Sequence, residues 1–302
     1  MREVTLGAVQ IERTNDMHKN LDKAIYYIDM AARRGAQMVC LPEAWMSHSP
    51  EILRTQEEFE SFLVEMNDEY MTKISEAARR NKIYLVAGSV YERDNGKIYN
   101  TAPIFEPNGN LMVKVRKTNL ENARIKAEIN HHVVPGELDF PVFETDYGKI
   151  CVVIDVDMCA IECARIYGLK GAEILFWPVS WPSNGYDALE FHGKMAANLV
   201  EGIVVCANPF GEGLYWNRDY YNGGTSIFDV RTCVARVKDW TEGVAVATVD
   251  LEVKDRRRAF IQEKYPYFRR PETYGLLMDL EAEYAAHRGN PNYEHLYEYL
   301  KK

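Results

Sequence analysis

The chain alternates short apolar runs of strand length with longer stretches whose apolar positions recur every three or four residues, the pattern of an α/β protein. Residues 4–11 read as a buried strand. Residues 20–34 follow with Leu21, Ala24, Ile25, Ile28 and Ala31 or Ala32 on one face and Gly35 as a stop, which predicts an amphipathic helix. Residues 37–41 return as a strand that stops at Pro42, so Glu43 stands at a strand's C-terminal end, where α/β folds gather their chemistry. Residues 57–81 carry the spacing of one long helix and residues 83–91 that of the next strand. Residues 98–106 and 111–116 read as strands joined through the Asp94-Asn95-Gly96 and Asn108-Gly109 turns, and Lys117 ends the last of them. Residues 118–134 are polar and irregular, and Pro135-Gly136 turns the chain toward a strand at 142–145.

The stretch that organises the rest is 148–173. Residues 149–154 form a β-branched apolar run, and 160–169 have helical spacing with Gly168 and Gly171 as stops, so Asp155 sits where a strand gives way to a helix. Such a turn holds a side chain rigidly beside free backbone N–H groups. Strands at 174–177 and 203–207 flank a helix at 188–201. A Gly- and aromatic-rich loop at 208–222 precedes three short strands at 225–229, 234–238 and 244–250 and a helix at 251–263. Residues 1–279 read as one domain, and 280–302, rich in Glu, Tyr and Lys, as a C-terminal helical extension packing on the body or on a second subunit.

Composition narrows the function. With 302 residues, 47% of them hydrophobic, the chain is long enough for a large core. A formal charge of −9 and a pI near 5.4 argue against nucleic acid or an anionic membrane as partner. The sequence offers no membrane-length apolar run and no signal peptide, which gives the expectation of a cytoplasmic protein. The six cysteines lack CxxC spacing and lie mostly in apolar strand contexts, so free thiols are expected rather than disulfides or zinc.

Two readings of the turn at Asp155 compete. In one, Asp155 and Asp157 form a strand-DxD motif resembling haloacid-dehalogenase-type phosphatases, with one Asp as nucleophile and the other as acid/base beside Mg²⁺. That motif closes the first strand of its domain, whereas half of this chain precedes Asp155. In the other, GKI followed by Asp155, Glu162, Arg165 and KGAE resembles the nucleophile segment of the nitrilase, or carbon–nitrogen hydrolase, superfamily. The opening VTLGAVQI, RRGAQMVCLPE with Glu43, VRKTNL with Lys117, VPGELDFPVFETDYGKI, KGAEILFWPVSW, NLVEGIVVCANPFG and GGTSIFD occur in that superfamily's order over about residues 3–275.

The resemblance implies a four-layer αββα sandwich, assembly into homodimers or larger oligomers, and cofactor-free, metal-free hydrolysis of a small amide, N-carbamoyl compound or nitrile. It implies Glu43 as base and acid, Lys117 as oxyanion stabiliser together with a backbone N–H near Val156, and Glu128 as a second acid, with Glu121 and Glu137 as alternatives. Position 155 is where the superfamily carries its catalytic Cys. The chain is therefore expected to be inactive as it stands, as a natural non-catalytic binding or regulatory homologue or as a deliberately altered enzyme, unless Asp155 itself attacks through an anhydride-like intermediate.

The remaining polar residues have plainer readings. Cys159 and Cys163 are expected to be spectator thiols. The adjacent His131 and His132 point opposite ways and do not suit joint metal ligation. Trp181 and His192 are placed at the substrate pocket, and Trp177, Phe210, Tyr215 and Trp216 are divided between pocket wall and core. Glu162 and Arg165 are spaced for a helical ion pair, and Glu201 for an internal partner of helix and strand ends.

Overall fold

The computed structural model describes residues 2–47, 55–120, 127–182, 186–212, 220–264 and 269–279. The expected extension at 280–302, Glu121, Tyr215 and Trp216 lie outside them. In chain order the elements are β1 (Glu3–Gln10), α1 (Met17–Arg33), β2 (Met38–Cys40), α2 (Gln56–Glu60), α3 (Glu69–Asn81), β3 (Tyr84–Val86), β4 (Val90–Asp94), β5 (Lys97–Phe105), β6 (Leu111–Arg116) and α4 (Ala127–Asn130). There follow β7 (Phe143–Glu144), β8 (Lys149–Val152), α5 (Ile161–Leu169), β9 (Ile174–Pro178), α6 (Tyr186–Val200), β10 (Ile203–Ala207), β11 (Phe210–Glu212), β12 (Tyr220–Asn222), β13 (Ser226–Phe228), β14 (Cys233–Arg236), β15 (Gly243–Asp250) and α7 (Val253–Lys264).

Alternation along β1 sorts its side chains to two faces, and that sorting builds the layers. Val4, Leu6 and Ala8 face a second sheet, packing with Met38 and Val86 against Ile150, Val152, Phe176 and Val205. Val9 and Ile11 point the other way, into the cluster formed with Leu21, Ala24 and Ile28 of α1 and Met71, Ile74 and Ala78 of α3. On the far side, Cys151, Leu175, Trp177 and Val204 pack beneath Ala164 and Tyr167 of α5 and Leu189, Ala196 and Val200 of α6. Helix, sheet, sheet and helix stack as an αββα sandwich.

Among the described residues the first sheet runs β15-β1-β2-β3-β5-β4 with β6 on β5, and the second runs β14-β13-β10-β9-β8-β7. Strands β1, β2 and β3 are mutually parallel, as are β8, β9 and β10, so their C-terminal ends gather along common edges. Glu43 follows β2 and Asp155 follows β8.

Two expected elements are broken. The helix over 57–81 is two helices, because Thr55 caps α2 through a reciprocal box with Glu58, and Asp68 starts α3 by accepting from the Met71 N–H. The strand over 83–91 is split between β3 and β4 at Gly88, whose φ is +60°. A Cβ there would lie 2.0 Å from the Pro42 carbonyl oxygen and 2.8 Å from Trp45 Cδ1. The close approach serves the Glu43 turn: Ser89 N–H donates to Pro42 O at 3.1 Å, Ala44 N–H to Ser89 Oγ at 3.3 Å, and Trp45 Nε1–H to Ala87 O at 2.7 Å. Gly88→Ala is expected to destabilise the fold by about 2–3 kcal/mol through overpacking and backbone strain. Urea unfolding measures this, and an unchanged midpoint would contradict it.

Candidate active site

Three strand ends from distant parts of the sequence bring Glu43, Lys117 and Asp155 together. Lys117 follows β6, its N–H donating to Asn100 O at 2.9 Å and its carbonyl accepting from Gly136 N–H at 2.8 Å. From there its Nζ reaches Asp155 Oδ2 at 2.8 Å, Glu43 Oε1 at 3.0 Å and Glu128 Oε2 at 3.0 Å. All four side chains are buried, with exposures of 3% for Glu43, 2% for Lys117, 1% for Glu128 and 5% for Asp155. Of the two candidate acids among the described residues, Glu128 of α4 is the one that reaches Lys117, whereas Glu137 lines a separate cavity of about 190 Å³ with Val113, Asp139, Phe140 and Tyr167.

The turn that presents Asp155 is strained and pinned. Asp155 has φ +50°, in the left-handed region, and opens a 3₁₀ turn over Asp155–Cys159. Its carbonyl accepts from Trp177 Nε1–H at 3.0 Å, and its Oδ1 lies 3.4 Å from the Ser180 N–H. Val156 is the next residue of that turn. The turn is tied to the Lys117 strand end by Asp157, whose carboxylate accepts from Thr118 Oγ1 at 2.8 Å, Asn119 N at 2.6 Å, Asn119 Nδ2 at 2.8 Å and Thr118 N at 3.2 Å. Asp157 thereby positions Lys117 against residue 155.

Asn100 is the member that sequence reasoning missed. Its Nδ2 donates to Glu43 Oε1 at 2.8 Å and to Glu128 Oε1 at 2.7 Å, bridging the two acids. The available signal was an Asn in the middle of an apolar strand, a position where its β propensity is poor.

Three carboxyls share one ammonium, and the charge balance is visible in the titration of Glu43. Burial pushes the Glu43 carboxyl well above the ordinary carboxylate range near 4.5, the negative charge of Asp155 pushes it further, and Lys117 only partly offsets both. Burial alone would lower Lys117, but Asp155, Glu128 and Glu43 outweigh it and raise the ammonium well above its usual 10.5.

Both groups hold their protons more tightly folded than unfolded. The stability associated with Glu43 is thus fully present below about pH 4.5 and is lost as pH rises through its raised value, while that of Lys117 is lost only above its own, in the alkaline range. Asp155→Asn removes one like charge and is expected to flatten the decline of stability as pH rises above about 4.5, where a full proton is worth about 1.4 kcal/mol per pH unit. Urea midpoints of both proteins across that range test it; parallel slopes would contradict it.

The other polar and aromatic residues singled out in the sequence take varied places. Trp181 meets Trp177 edge-on at 5.1 Å and His192 edge-on at 5.0 Å, and its N–H donates to Asn208 Oδ1 at 2.9 Å, so these rings make one contiguous stack between β9 and α6. His131 is buried, stacked on Phe59 at 4.3 Å and beside Gln56 Oε1, whereas the neighbouring His132 is exposed; the two do not converge. Cys163 is buried, which drives its thiol up to about 12, and Cys159 is exposed. One expectation fails: Arg165 pairs with Glu201 at 3.1 Å and donates to Leu199 O, not with Glu162, because Glu201 at the end of α6 also draws Arg258 to 3.4 Å.

The carbon–nitrogen hydrolase profile matches residues 5–258. The chain belongs to the carbon–nitrogen hydrolase family. It is 35% identical over 182 residues to omega-amidase NIT2 of Xenopus tropicalis, a match covering 59% of this chain and 64% of that relative, under two thirds of its length. It is 32% identical over 290 residues to omega-amidase NIT2 of Homo sapiens, covering 92% of this chain and 99% of that one. Among solved structures, Saccharomyces cerevisiae Nit3, a member of branch 10 of the nitrilase superfamily, superposes with a TM-score of 0.74 at 25% identity, covering 89% of this chain and 96% of that one.

Membership in this carbon–nitrogen hydrolase family overturns the phosphatase alternative, and the geometry gives the reason. The carboxylates of Asp155 and Asp157 diverge, one engaged by Lys117 and the other by Thr118 and Asn119, so the pair presents no shared Mg²⁺ face.

Proposed function

We propose that this chain is an amidase-type carbon–nitrogen hydrolase in which Asp155 stands in the place of the nucleophilic Cys, leaving a pocket that binds a small amide or its acid product without turning it over. The observation that carries the reading is the approach of Lys117 Nζ to within 3.0 Å of Glu43 and Glu128 and 2.8 Å of Asp155. A thiol at position 155 would give its proton to Glu43 and attack the carbonyl carbon; the amine would leave with that proton, and water would cleave the resulting thioester. Lys117 and a backbone N–H at Val156 would face the developing oxyanion. The two relatives named omega-amidase favour a carboxamide over a nitrile as the ligand.

Asp155 fails at this task for two physical reasons. A carboxylate that adds to an amide is itself a better leaving group than the amine, so the tetrahedral adduct collapses back. Its charge also raises Glu43, after the larger effect of burial, so Glu43 holds its proton to higher pH and is less available as base. The test is hydrolysis of a panel of carboxamides, N-carbamoyl amines and nitriles by the native chain and by Asp155→Cys. Turnover only in the Cys variant supports the reading. Turnover by the native chain contradicts it, and silence of both proteins leaves a binding homologue as the better description.

A further inference from the structure

The two acids beside Lys117 present their oxygens differently. Glu43 Oε1 accepts from Asn100 Nδ2 at 2.8 Å and from Lys117 Nζ at 3.0 Å, which occupies both of its lone pairs, whereas Oε2 accepts from none of the described residues. Glu128 has both oxygens engaged, Oε1 by Asn100 Nδ2 at 2.7 Å and Oε2 by Lys117 Nζ at 3.0 Å. Asn100 makes this division, because its one amide nitrogen carries two hydrogens and gives one to each acid. Its side chain is buried, and its Oδ1 has no partner among the described residues. The reversed amide would set Oδ1 against two carboxyl oxygens, so the donors decide its orientation. A leucine of similar shape would fill the same space with no polar atom left over, so packing alone does not account for an amide here.

We propose that Asn100 is a positioning residue for the hydrolase reaction, holding Glu43 by Oε1 so that Oε2 is the oxygen that exchanges a proton with the nucleophile at residue 155. A thiol there would pass its proton to Glu43 Oε2 as the S–C bond forms, and Oε2 would return it to the nitrogen as the C–N bond breaks and the amine leaves. Glu128, with both oxygens engaged, holds the lysine while the proton route runs through Glu43. The inference rests on the hydrolase reading of residue 155 and names the atom that reading uses. Asn100 also acts in the native chain. A hydrogen bond donated to a carboxylate favours its ionised form, so the amide opposes the burial and the Asp155 charge that raise Glu43. The backbone carbonyl of Asn100 separately accepts from Lys117 N–H at 2.9 Å, so the strand end that carries Lys117 is held by main chain and not by the amide.

Asn100→Leu keeps the shape and removes both donors, and two measurements test it. In the native chain, urea midpoints across pH are expected to show stability declining to higher pH in the variant than in the parent, because Glu43 keeps its proton further. In the Asp155→Cys background, Asn100→Leu is expected to lower kcat by about tenfold or more while KM stays within about threefold, and to move the rise of activity to higher pH. Asn100→Ser, which keeps one donor, is expected to lie between parent and leucine variant, and it takes the place of Asn100→Leu if the latter does not fold. An unshifted pH dependence in either measurement, or a loss carried by KM with kcat unchanged, would overturn the proposal. The stability measurement needs no turnover, so it decides the role of Asn100 even if Asp155→Cys is silent, and the two readings fail separately.

Discussion

Replacing Lys117 by methionine is expected to cost about 3–5 kcal/mol of stability, or to prevent folding. Methionine matches the length of the stem, so the change removes charge rather than volume. What remains is a buried set of three carboxyls, Glu43, Glu128 and Asp155, each of which had its ammonium partner at 3.0 Å or closer. Asn100 can still bridge Glu43 and Glu128, but an amide donor does not neutralise charge. Without the cation nothing offsets the burial and like charge that raise Glu43, so the loss is expected to deepen as pH rises. Adding Asp155→Asn to Lys117→Met is expected to recover part of the stability, since it removes one of the three acids. Urea unfolding at pH 7 measures both variants. A penalty below about 1 kcal/mol for Lys117→Met would mean that the cluster is solvated and that its geometry carries no energetic weight.

The second large effect is a gain. Asp155→Cys is expected to raise carboxamide hydrolysis by at least about 10²-fold over the native chain, the contribution ordinarily made by a positioned general base to a competent nucleophile. The substitution has two consequences at once. It places a thiol at the strained turn held by Trp177 and Asp157, and it removes the negative charge that, next after burial, raises Glu43. Glu43 then titrates lower and becomes available as base, so activity in the variant is expected to rise with pH through the Glu43 titration. Glu43→Gln in the same background is expected to abolish the gain. A flat pH profile with full activity in the double variant would place the base elsewhere.

Much of this site was legible because strand ends write themselves into the sequence. Pro42 stops β2 and leaves Glu43 at its end, the charged close of VRK marks Lys117, and the apolar run before Asp155 ends at the organising turn. Glu128 was reached by family resemblance, and its burial against Lys117 depends on α4, a helix too short to announce itself by periodicity. Asn100 was not legible, since a strand pattern reports which face a residue occupies but not which distant acids lie across from it. The same limit hid the pairing of Arg165 with Glu201, a contact between separate helices that local spacing cannot distinguish from an i,i+3 bond with Glu162. The break between α2 and α3 was written in Thr55, Glu58 and Asp68, yet the apolar spacing of Phe59, Phe62 and Met66 masked it.

The central claim is that position 155 is where acyl transfer would occur. Intact-mass measurement and peptide mapping after incubation with a short-chain p-nitrophenyl ester test it most directly, comparing the native chain, Asp155→Cys and Asp155→Cys combined with Lys117→Met. The expected result is one acyl group on the introduced thiol of the single variant, none at residue 155 of the native chain and a much slower adduct when Lys117 is also replaced. An acyl group on Asp155 of the native chain, or labelling of the variant at Cys159 or Cys163 with the introduced thiol left free, would contradict it.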